Sequence, residues 1–116
     1  MKKDVRVYLD DVIQSCVSIE TYIKGRNREE FDKDKLLQDA VIRRLSILGE
    51  AVKRISPEFR DKYSEIAWKK ATGMRDVLIH AYDEVDTKQV WLTITEVLPS
   101  FKTQIEELLK QLEKIS

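Results

Sequence analysis

Residues 91–115 decide the fold of this chain, and they read WLTITEVLPSFKTQIEELLKQLEKI. Apolar residues recur in this stretch at alternating steps of three and four: Trp91, Ile94, Leu98, Phe101, Ile105, Leu108, Leu112 and Ile115. That spacing aligns the apolar side chains along one face of an α-helix. The register continues past Pro99, a residue that kinks a helix when it lies inside one. The stretch therefore predicts one long helix with a kink at Pro99.

Three earlier segments show the same helical spacing. The first covers residues 5–23, and Gly25 follows it as a helix breaker. The second starts near residues 31–34, runs to residue 55 and carries two apolar stripes, one of Leu37, Val41, Leu48, Val52 and Ile55 and the other of Ile42, Leu45, Gly49 and Val52. The third covers residues 66 to about 82. The broad apolar face of the second segment suggests burial on two sides, against its own bundle and against a second subunit.

Short connections join these segments. Ser56 followed by Pro57 is typical of a helix start, and Asp86 with Gln89 resembles a capping box for the last helix. Short connections favour antiparallel neighbours. The sequence therefore predicts an all-α fold, an antiparallel up-down four-helix bundle with a short connecting helix, and residues 1–116 form a single domain.

The bulk properties exclude several classes of protein. Lys and Arg together number 21, as do Asp and Glu, so any contact with RNA has to come from a local patch. Cys16 is the only cysteine, which excludes an intramolecular disulfide and fits a reducing cytosol, and its apolar stripe indicates a packing role. Without a long uncharged apolar run or a signal core, we expect a soluble, cytoplasmic protein with no membrane contact.

The segment RDVLIHAY, which begins at Arg75, holds the only histidine of the chain. At about 100° per residue, Arg75 and His80 lie about 140° apart around a helix, so they border one groove from two sides or meet across two chains. Asp76 and His80 are an i, i+4 pair, in which the carboxylate can orient the imidazole. Tyr82 is nearly in line with Arg75. Arg75 and His80 are therefore the candidate catalytic residues, with Asp76 in a supporting role.

These residue types fit RNA cleavage without a metal. The reaction needs a base for the 2′-hydroxyl, an acid for the leaving 5′-oxygen and positive charge for the phosphorane. Arg75 can supply the charge, and His80 can transfer protons near neutral pH. One chain holds one imidazole, whereas a symmetric homodimer would bring two into one cleft. With one histidine and no cysteine cluster, we predict neither a metal nor a cofactor.

Structural explanations of the same residues stay open. A lone histidine near a helix end is often a structural or capping group, and Arg75 could form an ordinary surface ion pair. Tyr82 and Trp68, which continue one edge of the helix with Arg75, could instead be half-buried core aromatics. The second segment also carries four basic residues that could form a phosphate-binding stripe: Arg43, Arg44, Lys53 and Arg54. The acidic residues nearby favour a solvated face instead.

The arrangement Arg75-x-x-x-x-His80-x-Tyr82, with a polar residue directly after the arginine, resembles the signature of HepT-like toxins in the HEPN superfamily. The surrounding residues match as well: Leu48-Gly49-Glu50-Ala51 in the second helix, Trp68 and Gly73-Met74 before the arginine, and Val90-Trp91 after it. The resemblance covers essentially the whole chain.

The resemblance implies a homodimeric HEPN-type bundle that acts as a metal-independent endoribonuclease toxin, with Arg75 and His80 catalytic. It also implies a cognate antitoxin, a minimal MNT-type nucleotidyltransferase that neutralises the toxin by transferring AMP from ATP to Tyr82. Bulky anionic groups beside Arg75 would occupy the phosphate site and repel RNA. One alternative is a non-catalytic substrate-binding or adaptor partner of such a nucleotidyltransferase, and another is a small helical dimerisation module. The intact arginine–histidine pair favours the enzyme.

Overall fold

The computed structural model describes residues 4–73 and 86–115. Its helices are α1 (Val5–Ile23), α2 (Arg28–Lys33), α3 (Lys35–Arg54), α4 (Pro57–Lys62), α5 (68–73), α6 (Thr87–Leu92) and α7 (Leu98–Ile115), with a π-helical turn (Thr93–Val97) between the last two. Within the described ranges no strand occurs, which confirms the predicted all-α class. No helix in these ranges is both long enough and apolar enough to cross a membrane.

The first and last long helices lie side by side and run in opposite directions. Glu20, near the end of α1, pairs with Lys102, near the start of α7, at 3.2 Å. At the other end of the pair, Arg6 of α1 lies within electrostatic range of Glu113 of α7. The predicted antiparallel packing therefore holds for α1 and α7.

The helix α3 packs along α1, also in the antiparallel sense. Asp11, in the first half of α1, lines a groove with Arg54 at the end of α3. Tyr22, at the end of α1, accepts a hydrogen bond through its hydroxyl from Arg44 Nε at 3.3 Å. The three long helices α1, α3 and α7 thus form the frame of the bundle.

Both apolar stripes predicted on the second segment are covered within this one chain. The buried members are Leu37, Val41, Leu45, Leu48, Gly49, Val52 and Ile55, and Ile42 packs partly buried against the same core. Burying one such aliphatic side chain stabilises the fold by about 1.5–3 kcal/mol. The α3 stripes are therefore occupied inside the bundle, and they give no separate evidence for a second subunit.

The predicted second helix starts as α3 directly after Asp34, as expected, and an unpredicted short helix, α2, precedes it and ends at the same residue. The backbone of Asp34 (φ −106°, ψ 93°) is not helical, and its carboxylate accepts a hydrogen bond from the Leu37 N–H at 3.0 Å. The buried Gln38 donates through Nε2 to the carbonyls of Phe31 (2.9 Å) and Asp32 (3.1 Å), which lie at the end of α2. Apolar periodicity cannot reveal this break, since both helices face the same core.

The turns follow the local signals of the sequence. Gly25 has φ 74°, a conformation that other residues rarely adopt, and it ends the first helical segment. Asn27 and Glu30 form a capping box at the start of α2. The Ser56 hydroxyl accepts a hydrogen bond from the Phe59 N–H at 3.2 Å, and Pro57 lies in the first turn of α4. The short connecting helix is therefore confirmed.

The last helix is continuous, as predicted, and its irregular part lies just before Pro99. The Leu98 N–H donates to the carbonyl of Thr93, five residues earlier, as in a π-helix. Proline has no N–H, and its ring conflicts with the carbonyl four residues earlier, here that of Thr95. Thr95 also donates through Oγ1 to the Trp91 carbonyl at 2.7 Å. The irregularity expected at Pro99 is thus a π-helical turn over the residues that precede it.

Cys16 is fully buried on α1, as its position on the apolar stripe predicts. Burial raises the pKa of its thiol to about 12, and the nearby carboxylate of Glu20 adds to the rise. The thiol therefore stays protonated at neutral pH and acts as a small apolar side chain.

Candidate functional site

The predicted site residues Arg75, Asp76, His80 and Tyr82 lie within residues 74–85, outside the described residues. The described chain leads into this segment through α5 and resumes at Asp86. The contacts on these two flanks decide how the motif is attached to the bundle. In the described ranges, no group of three or more His, Cys, Asp or Glu side chains is placed to hold a metal ion.

Trp68 fixes the first turn of α5 in the core. Its side chain is 6% exposed, and Nε1 donates to the Tyr63 carbonyl at 3.0 Å. Its ring meets that of Phe101 edge to face, with centroids 6.3 Å apart. Ala71, one turn further along, is fully buried. Trp68 is therefore a core aromatic whose polar atom is satisfied, which confirms the core-aromatic alternative for this residue.

Gln104 of α7 holds the turn that precedes α5. Its Oε1 accepts a hydrogen bond from the Ala67 N–H at 3.4 Å, and its Nε2 donates to the Glu65 carbonyl at 3.3 Å. The amide of one side chain thus forms hydrogen bonds with a backbone N–H and a backbone carbonyl of the turn. No local pattern in the sequence marks Gln104 as a functional residue, because its partners are 37 and 39 positions away.

Asp86 fixes the other flank of the motif. Its carboxylate accepts a hydrogen bond from the Gln89 N–H at 3.1 Å, which confirms the Asp86 half of the predicted capping box. Val90 is buried, and the ring of Trp91 packs on that of Phe31 in α2 with centroids 5.4 Å apart. The chain therefore leaves the motif on a helix that is packed against the core.

Comparison with known proteins identifies the family. The family model described as "Ribonuclease HepT-like" matches residues 12–108, from within α1 to within α7. The chain belongs to the HepT-like ribonuclease family. The match includes residues 74–85 and both of the flanks that anchor them, so the predicted site residues lie inside the HepT-like region.

Three relatives illustrate the similarity. A protein of Thermococcus cleftensis, named as a probable ribonuclease HepT, is 42% identical over 110 residues, which are 95% of this chain and 100% of that protein. A protein of Caldanaerobacter subterraneus subsp. tengcongensis, named as a candidate RNase, is 41% identical over 109 residues, 94% of this chain and 97% of that protein.

The third relative is a longer protein of Methanocaldococcus jannaschii, named as a gamma-glutamylcyclotransferase and candidate RNase. It is 42% identical over 114 residues, which are 98% of this chain, and the chain spans 51% of its length. No solved structure matches the chain.

The basic residues of α3 do not form one uninterrupted phosphate-binding stripe. Arg44 is hydrogen-bonded to Tyr22, as described above, and Lys53 is exposed. The other two arginines line a groove together with two carboxylates: Arg43, Arg54, Asp11 and Glu50. Acids within the groove oppose a phosphate ligand, which favours the solvated-face interpretation of this stripe.

Proposed function

We propose that this HepT-like protein is a metal-independent endoribonuclease that acts as the toxin of a toxin–antitoxin pair, with Arg75 and His80 as its catalytic residues. The observation that carries the proposal is the HepT-like ribonuclease match over residues 12–108, which includes the whole Arg75–Tyr82 motif. Relatives that align over nearly their full lengths and carry ribonuclease names support the same activity.

The proposed reaction uses a homodimer, because each chain holds a single imidazole. His80 of one protomer takes the proton of the 2′-hydroxyl, and the 2′-oxygen bonds to phosphorus while the bond to the 5′-oxygen breaks. The second imidazole donates a proton to the leaving 5′-oxygen. The products are a 2′,3′-cyclic phosphate and a 5′-hydroxyl.

In this mechanism Arg75 stabilises the charge that develops on the non-bridging phosphate oxygens. Asp76, four residues before His80, orients the imidazole and favours its protonated form. Catalytic side chains require rigid supports. The packing of Trp68 and the cap at Asp86 anchor the chain before and after the motif. The intact arginine–histidine pair of the sequence favours a catalytic role over a purely adaptor role.

The proposed regulation is transfer of AMP to Tyr82 by a cognate minimal nucleotidyltransferase. The phenolic oxygen attacks the α-phosphorus of ATP, a new phosphodiester bond forms, and pyrophosphate leaves. Each AMP unit adds a negative charge near Arg75. That charge competes with the RNA phosphate for the guanidinium and repels the substrate.

The deciding experiment measures cleavage of end-labelled single-stranded RNA by the purified protein, with and without EDTA. We expect cleavage in EDTA, fragments that end in a cyclic phosphate, and loss of at least about 10²-fold in rate for His80→Ala and for Arg75→Ala. Lys33→Gln, on the exposed surface of α2, is the matched control. Cleavage that survives His80→Ala, or that disappears on chelation, contradicts the mechanism. A folded wild-type protein that does not cleave RNA would favour the adaptor role.

A further inference from the structure

A groove of about 460 Å³ lies between α4 and the start of α5, immediately before the catalytic motif in the chain. Three cations line it, namely Arg60, Lys69 and Lys70, against one carboxylate, Asp61. Two buried apolar side chains, Ile66 and Trp68, contribute to the same lining. The groove thus combines an excess of positive charge with an apolar wall.

Its cations are available for a ligand. Within the described residues, neither Arg60 nor the two lysines forms an ion pair, whereas six other cation–carboxylate pairs are present. Arg60 Nε is buried and has no hydrogen-bond partner among these residues. An unpartnered buried donor is unfavourable, and such groups in native proteins are often explained by a function.

We propose that this groove binds one nucleotide of the RNA substrate beside the cleavage site, with the phosphate held by Arg60, Lys69 and Lys70. This inference rests on the proposed ribonuclease function and adds a substrate subsite to it. Pro57 and Ala67, with the small exposed parts of Ile66 and Trp68, form the apolar wall that a ribose or base can contact. A carboxylate-rich protein segment would use the cations but not this wall.

The groove is within reach of the same RNA strand that enters the active site. Lys70 precedes Arg75 by five residues, so their Cα atoms are at most about 18 Å apart in any conformation of the chain. A short oligonucleotide bridges that distance. The groove contacts only a phosphate and the face of a base or sugar of the RNA. Because every nucleotide offers these groups, the subsite tolerates any RNA sequence.

The test compares two double variants that each remove two exposed lysines. Lys69→Gln/Lys70→Gln alters the groove, which comes after the end of α3 in the chain. The control, Lys33→Gln/Lys35→Gln, removes two lysines at the other end of α3, near its start. The 20 residues of α3 span about 30 Å. Both are made in the His80→Ala background, so that a fluorescent single-stranded RNA stays intact while its binding is measured by anisotropy at several salt concentrations.

We expect the groove variant to weaken RNA binding on the order of tenfold and to lower the salt slope by about 0.7, the value for one lost phosphate contact on a single strand. The control pair should change neither quantity. Equal binding by the two double variants overturns the subsite. Unchanged RNA affinity together with loss of polyglutamate binding would assign the groove to an acidic protein, which also overturns it.

A second measurement separates the subsite from the proposed function. With His80 intact, the groove variant should raise KM for RNA cleavage and leave kcat nearly unchanged, as expected for lost substrate binding. If the wild-type protein does not cleave RNA, the proposed function fails. The anisotropy experiment still decides the subsite in that case, since it requires no catalysis.

Discussion

The indole ring of Trp68 meets the ring of Phe101 edge to face, with centroids 6.3 Å apart and planes at 83°. This contact joins α5, which leads into the Arg75–Tyr82 motif, to α7 of the frame. The hydrogen bond from Trp68 Nε1 to the Tyr63 carbonyl fixes the same ring from its other side. A rotation of α5 would break both interactions, so the core sets the direction in which the chain enters the motif.

Trp68→Phe should therefore destabilise the fold. The variant keeps an aromatic ring near Phe101 but leaves the Tyr63 carbonyl without its indole donor. Because the Tyr63 carbonyl still accepts a hydrogen bond from the Ile66 N–H at 3.1 Å, we expect the lost indole hydrogen bond to lower the free energy of unfolding by about 0.5–1.5 kcal/mol, measured by chemical denaturation. Trp91→Phe is the matched control, since Trp91 packs on Phe31 and its indole nitrogen has no hydrogen-bond partner among the described residues. Equal losses in the two variants would show that the Trp68 hydrogen bond is unimportant.

The buried thiol of Cys16 should make the fold sensitive to alkaline pH. Its pKa is about 12 in the folded protein against an ordinary value of 9.0, so the unfolded chain loses this proton first. The contribution of the protonated thiol to the free energy of unfolding is fully present below pH 9. It is lost as the pH rises towards 12, by at most about 1.4 kcal/mol per pH unit. Cys16→Val should show a correspondingly flatter decline in denaturation experiments between pH 9 and 11. Parallel curves for the two proteins would contradict this assignment.

The proposed mechanism requires two imidazoles in one cleft, and hence a dimer. Sedimentation equilibrium at micromolar concentration should give twice the chain mass, and a monomer at that concentration would contradict the mechanism. Mixing in inactive His80→Ala chains should reduce cleavage with the square of the wild-type fraction, because both protomers must supply His80. Dilution with Lys33→Gln chains should leave the rate unchanged. A linear decline with His80→Ala would indicate that a single imidazole is sufficient.

Tyr82→Phe removes only the oxygen that would accept AMP. We expect this variant to cleave RNA nearly as well as the wild-type protein and to escape neutralisation by the cognate nucleotidyltransferase. Intact-mass spectrometry after incubation with that enzyme, ATP and Mg²⁺ should show one or more AMP units on the wild-type chain. A modified Tyr82→Phe protein would identify a different acceptor, and neutralisation without a mass change would indicate inhibition by complex formation.

Local interactions account for the features that were predictable from the sequence. The apolar steps of three and four along residues 5–23 and 91–115 predicted helices because the side chains that share a face must be buried together. Ser56 and Asp86 marked helix starts because a cap acts on amides only two or three residues away. The chemistry proposed for Arg75 and His80 follows from the residue types themselves, and it stays a prediction.

The tertiary structure alone decided how distant parts of the chain meet. Gln104 of α7 binds a turn 37 to 39 residues away. Trp68 is buried because α7 offers it an aromatic partner, although helical spacing also allowed an exposed position. The groove that joins Arg60 to Lys69 and Lys70 exists only once α4 packs beside α5. Each of these features depends on pairs of residues brought together by burial, and no periodic pattern along the chain encodes such a pair.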